Sequence, residues 1–213
     1  MPTDAEFWDR SAARYARRPV ADEIAYRRTL ERVRSYLRPD HRALELGCGT
    51  ASTALALAPH LREILATDLS GAMIEIGRQK AAAAGATNLR LSVAHPDSAP
   101  PGPFDVVLAF NLFHLLSEGE LETSLAAIHA RLDPGGLFVS KTPCLGDTRS
   151  GFLRGAMRAA IAVMQRLGRA PGQVRFLTVR DWQEQVRLAG FDLIETGNYP
   201  EDPPNHFIVA RRR

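Results

Sequence analysis

Cysteine is almost missing from this chain. Among 213 residues there are two, Cys48 and Cys144, far apart and in unrelated surroundings. That excludes a disulfide framework and the paired spacings of a zinc site, and it points to a reducing, cytoplasmic setting. Long apolar runs are missing too. No segment approaches the ~20 residues of a membrane-spanning helix, and Met1 to Arg10 lack the apolar stretch of a secretory signal. Lysine is scarce: Lys80 and Lys141 are the only two, so arginine supplies nearly all of the 27 basic residues. The net charge is only +3, scattered among acids and partly gathered in Arg211-Arg212-Arg213. No basic stripe is interleaved with aromatics, so no nucleic-acid partner is expected. The histidines show no ligand spacing, so no metal is expected.

What is present is an ordinary globular composition, 45% apolar and 24% charged, long enough for one domain with a sizeable core. Residues 4–17 and 21–37 carry helical periodicity, interrupted at Pro19 and stopped at Pro39-Asp40. Beyond them, strand patterns at 42–46, 63–67, 89–93, 104–110, 136–141, 191–197 and 206–211 alternate with helices at 52–58, 71–84, 118–131 and 179–189. Ser117 with Glu120, and Thr178 with Asp181, mark two of those helix starts. Asp133-Pro-Gly-Gly136 reads as a turn. Such alternation predicts an α/β fold, a doubly wound and mostly parallel sheet. The link between the last two strands is too short for a crossover, so they are predicted to run antiparallel.

The densest signal is Ala43-Leu-Glu-Leu-Gly-Cys-Gly-Thr50, a strand entering a glycine loop and then a helix. Eighteen residues later Asp68 ends the next strand. An open α/β sheet binds ligands at this rim, where a glycine loop admits a nucleotide-like ligand and an acid takes ribose hydroxyls. A dinucleotide fingerprint would need a third glycine where Ser52 stands, because pyrophosphate must approach the helix N-terminus.

Glu45, Gly47 and Gly49, with Ala51 in place of a final glycine, resemble motif I of the class I S-adenosylmethionine-dependent methyltransferases. Asp68-Leu-Ser-x-x-Met73 is also similar to that family. The resemblance covers roughly 40–213 and implies a seven-stranded Rossmann-like sheet whose last strand inserts antiparallel. It implies S-adenosylmethionine as cofactor and a small-molecule acceptor. The cofactor bed would be Glu45, Gly47, Cys48, Gly49, Thr50, Asp68, Leu69, Met73, His95 and Asn111. Asp68 would bind ribose and Met73 would pack on adenine. His95 follows the third strand where the family often has an acid, and Asp97 lies two residues on; which of them reaches adenine stays open. Phe110-Asn-Leu-Phe-His114 would border the reactive methyl. His114 is a candidate general base or a helix-start histidine.

Two segments fall outside the alternation. Phe7-Trp8, Ala12 and Tyr15 resemble a lid helix of small-molecule methyltransferases, in which the tyrosine reaches the cofactor. Residues 1–39 would thus be a helical cap on a domain of 40–213. An insertion at about 143–177 places Leu153, Met157, Ile161 and Met164 on one helix face, with Arg154, Arg158 and Arg166 elsewhere. It suits a lid over a partly apolar substrate. Its basic, amphipathic character also permits contact with a membrane surface and a lipid or quinone acceptor. Two rival functions are a nicotinamide-dependent oxidoreductase and a non-catalytic cofactor-binding module. Nothing in the pattern fixes an oligomeric state.

Overall fold

Along each strand, alternate residues turn to opposite faces, and both faces here are apolar. Leu44, Leu46, Val107, Ala109 and Phe138 belong to one buried cluster, while Ala43, Ile64, Ala66, Val106, Leu108 and Val139 belong to the other. A sheet buried on both sides must be covered by helices on both sides. The computed structural model describes residues 3–145, 151–201 and 204–213. The opening of the predicted lid at Gly146-Asp147, the side chains of Leu153 and Arg154, and Asp202-Pro203 lie outside the described residues.

The strands are β1 (Arg42–Leu46), β2 (Glu63–Asp68), β3 (Leu89–Val93), β4 (Phe104–Phe110), β5 (Leu132–Pro143), β6 (Phe191–Asn198) and β7 (Asn205–Arg212). They form one sheet in the order β3-β2-β1-β4-β5-β7-β6. The first five pair in parallel, and β7 runs antiparallel between β5 and β6. The helices are α1 (Asp4–Ala16), α2 (Glu23–Arg34), α3 (Ser52–Leu57), α4 (Gly71–Ala83), α5 (Glu118–Arg131), α6 (Gly151–Arg166) and α7 (Val179–Leu188). Leu30 and Val33 of α2, Ala54 and Leu57 of α3, and Ile74 and Ala81 of α4 cover one face. Leu121, Leu125 and Ile128 of α5 and Trp182 and Val186 of α7 cover the other. Each fully buried Leu or Val there contributes roughly 1.5–3 kcal/mol. Ser117 and Thr178 each close a capping box, with Glu120 and Asp181 as reciprocal partners.

Two elements differ from the sequence expectation by more than one residue at an end. α2 ends at Arg34, with Ser35 as its C-cap, before the proline that was expected to stop it. β5 begins at Leu132, not at Gly136. Leu132 pairs with Phe104 and Leu137 with Val106, so the Asp133–Gly136 turn is a bulge looped out of a continuous strand. The C-terminal ends of β1, β2 and β4 converge at the middle of the sheet, where the strand order reverses on either side of β1.

Candidate functional site

The loop after β1 has a backbone that only glycine adopts without strain. Gly47 sits at φ +64°, and a Cβ there would stand 2.9 Å from Leu112 Cδ1. Ala51, where the family pattern has glycine, is also left-handed at φ 57°, which costs an L-residue roughly 1–2 kcal/mol. Its methyl lies over Gly77 of α4, where a Cβ would come within 3.2 Å of it, so a small residue on each side lets loop and helix close up. The loop is tied to β2 by two bonds: Cys48 N–H donates to Thr67 O at 2.9 Å, and Gly49 N–H donates to Asp68 Oδ2 at 2.9 Å.

Asp68 is the hinge of this arrangement. Its other oxygen accepts from Ser70 N–H at 2.9 Å. Each carboxylate oxygen offers two acceptor positions, so both retain capacity toward the cleft that Asp68 lines. Burial raises its pKa; the Ser70 and Gly49 N–H bonds pull the other way. Ser70 caps α4 by accepting from Met73 N–H at 3.1 Å and donates its own hydroxyl to Asp9 of α1 at 2.6 Å. Asp9 also accepts from Ala72 N–H at 3.1 Å. One carboxylate thus latches α1 onto the N-terminus of α4, where the helix dipole favours negative charge.

The resulting cleft encloses about 490 Å³, including its open mouth, within the usual range of about 300–1,000 Å³ for small-ligand sites. Gly47, Gly49, Asp68, Leu69 and Met73 line one side, Phe110, Asn111, Leu112 and Leu115 another, and Trp8 and Tyr15 of α1 the third. Met73 is fully buried. The Trp8 and Tyr15 rings meet edge to face, 6.3 Å apart. Tyr15 lies over the glycine loop, its ring 3.5 Å from where a Gly49 Cβ would be. Asn111 is left-handed at φ 54° and exposed; its N–H donates to Lys141 O at 2.7 Å and its Oδ1 accepts from Asn205 Nδ2 at 3.1 Å.

Of the residues singled out in the sequence, Tyr15, Gly47, Gly49, Asp68, Leu69, Met73 and Asn111 come together around this cleft. Glu45, Cys48 and Thr50 stand behind its wall. Glu45 is buried with Oε2 unpartnered, and burial pushes its pKa up to about 8, offset in part by the Ala54 N–H. It is therefore protonated at neutral pH. Cys48 is buried, its thiol pKa driven up by desolvation, so it is an inert thiol. Thr50 Oγ1 accepts from Lys80 Nζ at 2.7 Å.

His95 and His114 are off the cleft wall. His95 Nδ1 meets Asp97 Oδ1 at 2.8 Å, and its Nε2 faces Glu120 at 3.9 Å, so the ring is held by acids on its own loop and on α5. His114 lies in a 3₁₀ turn, Phe113–Leu115; its Nδ1 is buried without a partner, and burial lowers its pKa to about 4. Trp8 and Leu112, which lie within the lid-helix pattern and the turn after β4, also line the cleft, whereas Asp9 and Leu115 were not singled out. The Ser70 cap was legible in Asp68-Leu-Ser70, but nothing local announces that Asp9 will reach it.

Residues 44–138 match a family model described as a methyltransferase domain. A curated relative, the uncharacterized methyltransferase YcgJ of Bacillus subtilis, is 30% identical over 83 residues, 38% of this chain and 33% of its own. The chain thus spans about a third of the length of the curated relative it matches. The crystal structure of YcgJ superposes with a TM-score of 0.68 at 18% identity, over 88% of this chain and 99% of that one. The Streptomyces coelicolor geranyl diphosphate C-methyltransferase, solved with Mg²⁺, geranyl diphosphate and S-adenosyl-L-homocysteine, gives 0.70 at 13% identity, over 88% and 79%. The [4+2]-cyclase SpnF gives 0.67 at 17%, over 87% and 80%.

Proposed function

We propose that this chain, which carries a class I S-adenosylmethionine-dependent methyltransferase domain, transfers a methyl group to a small-molecule acceptor. The observation that carries the reading is Asp68: a carboxylate at the end of β2, braced by two N–H groups, lining a cleft directly across a glycine loop. That constellation fits S-adenosylmethionine. An acid with spare acceptor positions suits two ribose hydroxyls, and buried Met73 with Leu69 offers an apolar bed for adenine. The left-handed glycines leave the loop free of side chains on the cofactor side.

When bound, the cofactor supplies a methyl group on an activated sulfonium, and in-line displacement onto the acceptor leaves S-adenosylhomocysteine. The protein's task is then chiefly to orient and to exclude water. In this reading Trp8 and Tyr15 close the cleft as a lid, and residues 1–39 act as a cap. Asn111, Phe110 and Leu115 wall the acceptor side. Glu45 and Thr50 act through the loop they support, and Cys48 contributes backbone. His95 serves the adenine end through its loop. His114 is the candidate base. It is neutral at pH 7, but a pKa near 4 makes it a weak one, which favours an acceptor that needs little proton removal.

The cyclase SpnF shares this fold, so the fold by itself does not dictate methyl transfer. A cofactor-binding protein without transfer activity is the rival reading. Calorimetry with S-adenosylhomocysteine against NAD tests the first half: binding of NAD alone defeats it. Turnover of labelled methyl donor across a panel of small acceptors tests the second, and cofactor binding with no transfer to any of them selects the rival.

A further inference from the structure

Beside the cleft, α6 and the segment before α7 form a second, open pocket of about 750 Å³ including its wide mouth, lined by Arg158, Ile161, Gln165, Val174, Arg175 and Phe176. We propose that it binds an oxyanion, the phosphate or carboxylate group of an otherwise apolar acceptor, with Arg175 and Arg158 as its ligands. This rests on the methyltransferase reading for the word acceptor, though the anion site stands on its own geometry.

Two guanidinium groups share this lining and, among the described residues, no acid does. Several other arginines do have carboxylate partners: Arg27 pairs with Glu23, Arg32 with Glu195, Arg38 with Asp40 and Arg42 with Glu63. Arg175 has Nη1 buried with no hydrogen-bond partner. An arginine cannot shed its proton to escape that cost, so a buried, unpartnered N–H of this kind calls for an acceptor. Arg158 sets its guanidinium 5.9 Å from the centre of the Phe176 ring, which orients the plane and leaves N–H groups at its edge. Gln165 donates to Pro171 O and Gly172 O, both at 2.9 Å, pinning α6 to the segment that bears Arg175. Ile161, Val174 and Phe176 supply apolar wall. Phosphate and carboxylate share the planar pair of acceptors that a guanidinium fork recognises.

The position relative to the cleft gives the site its use. Arg175 N–H donates to His114 O at 2.6 Å, on the turn after β4. The neighbours of His114 in that turn, Leu112 and Leu115, wall the cleft. The backbone that carries Arg175 therefore abuts the turn that walls the cleft. The arrangement reads as an anchor for one end of the acceptor, with its reactive end directed to the cleft.

The test titrates phenyl phosphate, benzoate and neutral benzyl alcohol into the full chain by calorimetry at low salt, with and without S-adenosylhomocysteine. At least one anion is expected to bind about tenfold or more tightly than benzyl alcohol, and the tighter of the two identifies the headgroup. Arg175→Gln and Arg158→Gln should each remove about tenfold of that affinity while S-adenosylhomocysteine binding is kept. Arg158 is exposed, so its variant folds even if the Arg175 variant does not. The proposal is overturned if neither anion outbinds benzyl alcohol, or if Arg158→Gln keeps the wild-type anion affinity. Anion binding without S-adenosylhomocysteine binding upholds the anion site and rejects the methyltransferase reading instead.

Discussion

Replacing Asp68 by asparagine exchanges one carboxylate oxygen for an NH₂ group and removes a charge, with almost no change in shape. In the native protein one oxygen accepts from Gly49 N–H and the other from Ser70 N–H, both at 2.9 Å. Whichever way the amide sits, its nitrogen faces one of those donors. A buried donor left unsatisfied costs roughly 1–3 kcal/mol, so the fold should lose stability on that scale. If Asp68 holds the ribose as proposed, the cofactor loses affinity on a similar scale. A charge-assisted hydrogen bond to ribose is worth roughly 1.5–3 kcal/mol, which is about a 10- to 150-fold rise in Kd. Two measurements separate these effects. Urea denaturation reads the stability loss, and calorimetry with S-adenosylhomocysteine, corrected for the folded fraction, reads the affinity. If Asp68 were only a clamp between the loop and α4, stability would fall while Kd per folded molecule stayed within about twofold of wild type. That result refutes the ribose assignment.

The remaining predictions concern the loop, the lid and pH. Gly47→Ala forces an alanine to φ +64° and a methyl to within 2.9 Å of Leu112 Cδ1; both stability and S-adenosylhomocysteine affinity should drop, the former by at least about 1–2 kcal/mol, in thermal denaturation and calorimetry. Asp9→Ala cuts the bonds to Ser70 and Ala72 that hold α1 on α4; amide exchange over 4–16 should speed up with little change in global stability. The carboxyl of Glu45 has its pKa raised from 4.5 to about 8. Between those values the folded state keeps a proton that the unfolded state has released, so this group's contribution to stability falls as pH rises through the window. Glu45→Gln should flatten that decline in denaturation curves collected across it; an unchanged profile would mean that Glu45 is ionised in the fold.

How far the site could be read in advance depended on the distance over which each feature is set. β1, β3 and β4 have the bounds their apolar patterning predicted, and the glycine loop with Asp68 was legible because strand, loop and acid are consecutive along the chain. β5 was cut short because the apolar alternation breaks at Asp133–Gly136. Only the pairing of Leu132 with Phe104 makes the strand continuous across that bulge. Glu45 sits behind the loop and not in the cleft because Leu44 and Leu46 must face the opposite core, which leaves it directed toward α3. The ring of His95 is claimed by Asp97 and Glu120, and Glu120 lies on an element no local count could bring there.

Backbone sterics and the period of apolar residues act between near neighbours. The sequence by itself therefore determined the alternation of strands and helices, the glycine turn, the acid at the rim and the helix caps. Strand order, the insertion of β7 between β5 and β6, the Asp9 latch and the meeting of Arg175 with the His114 turn were decided only by the tertiary structure. Those join residues many tens of positions apart, through burial and hydrogen bonding that exist only once both faces of the sheet are covered.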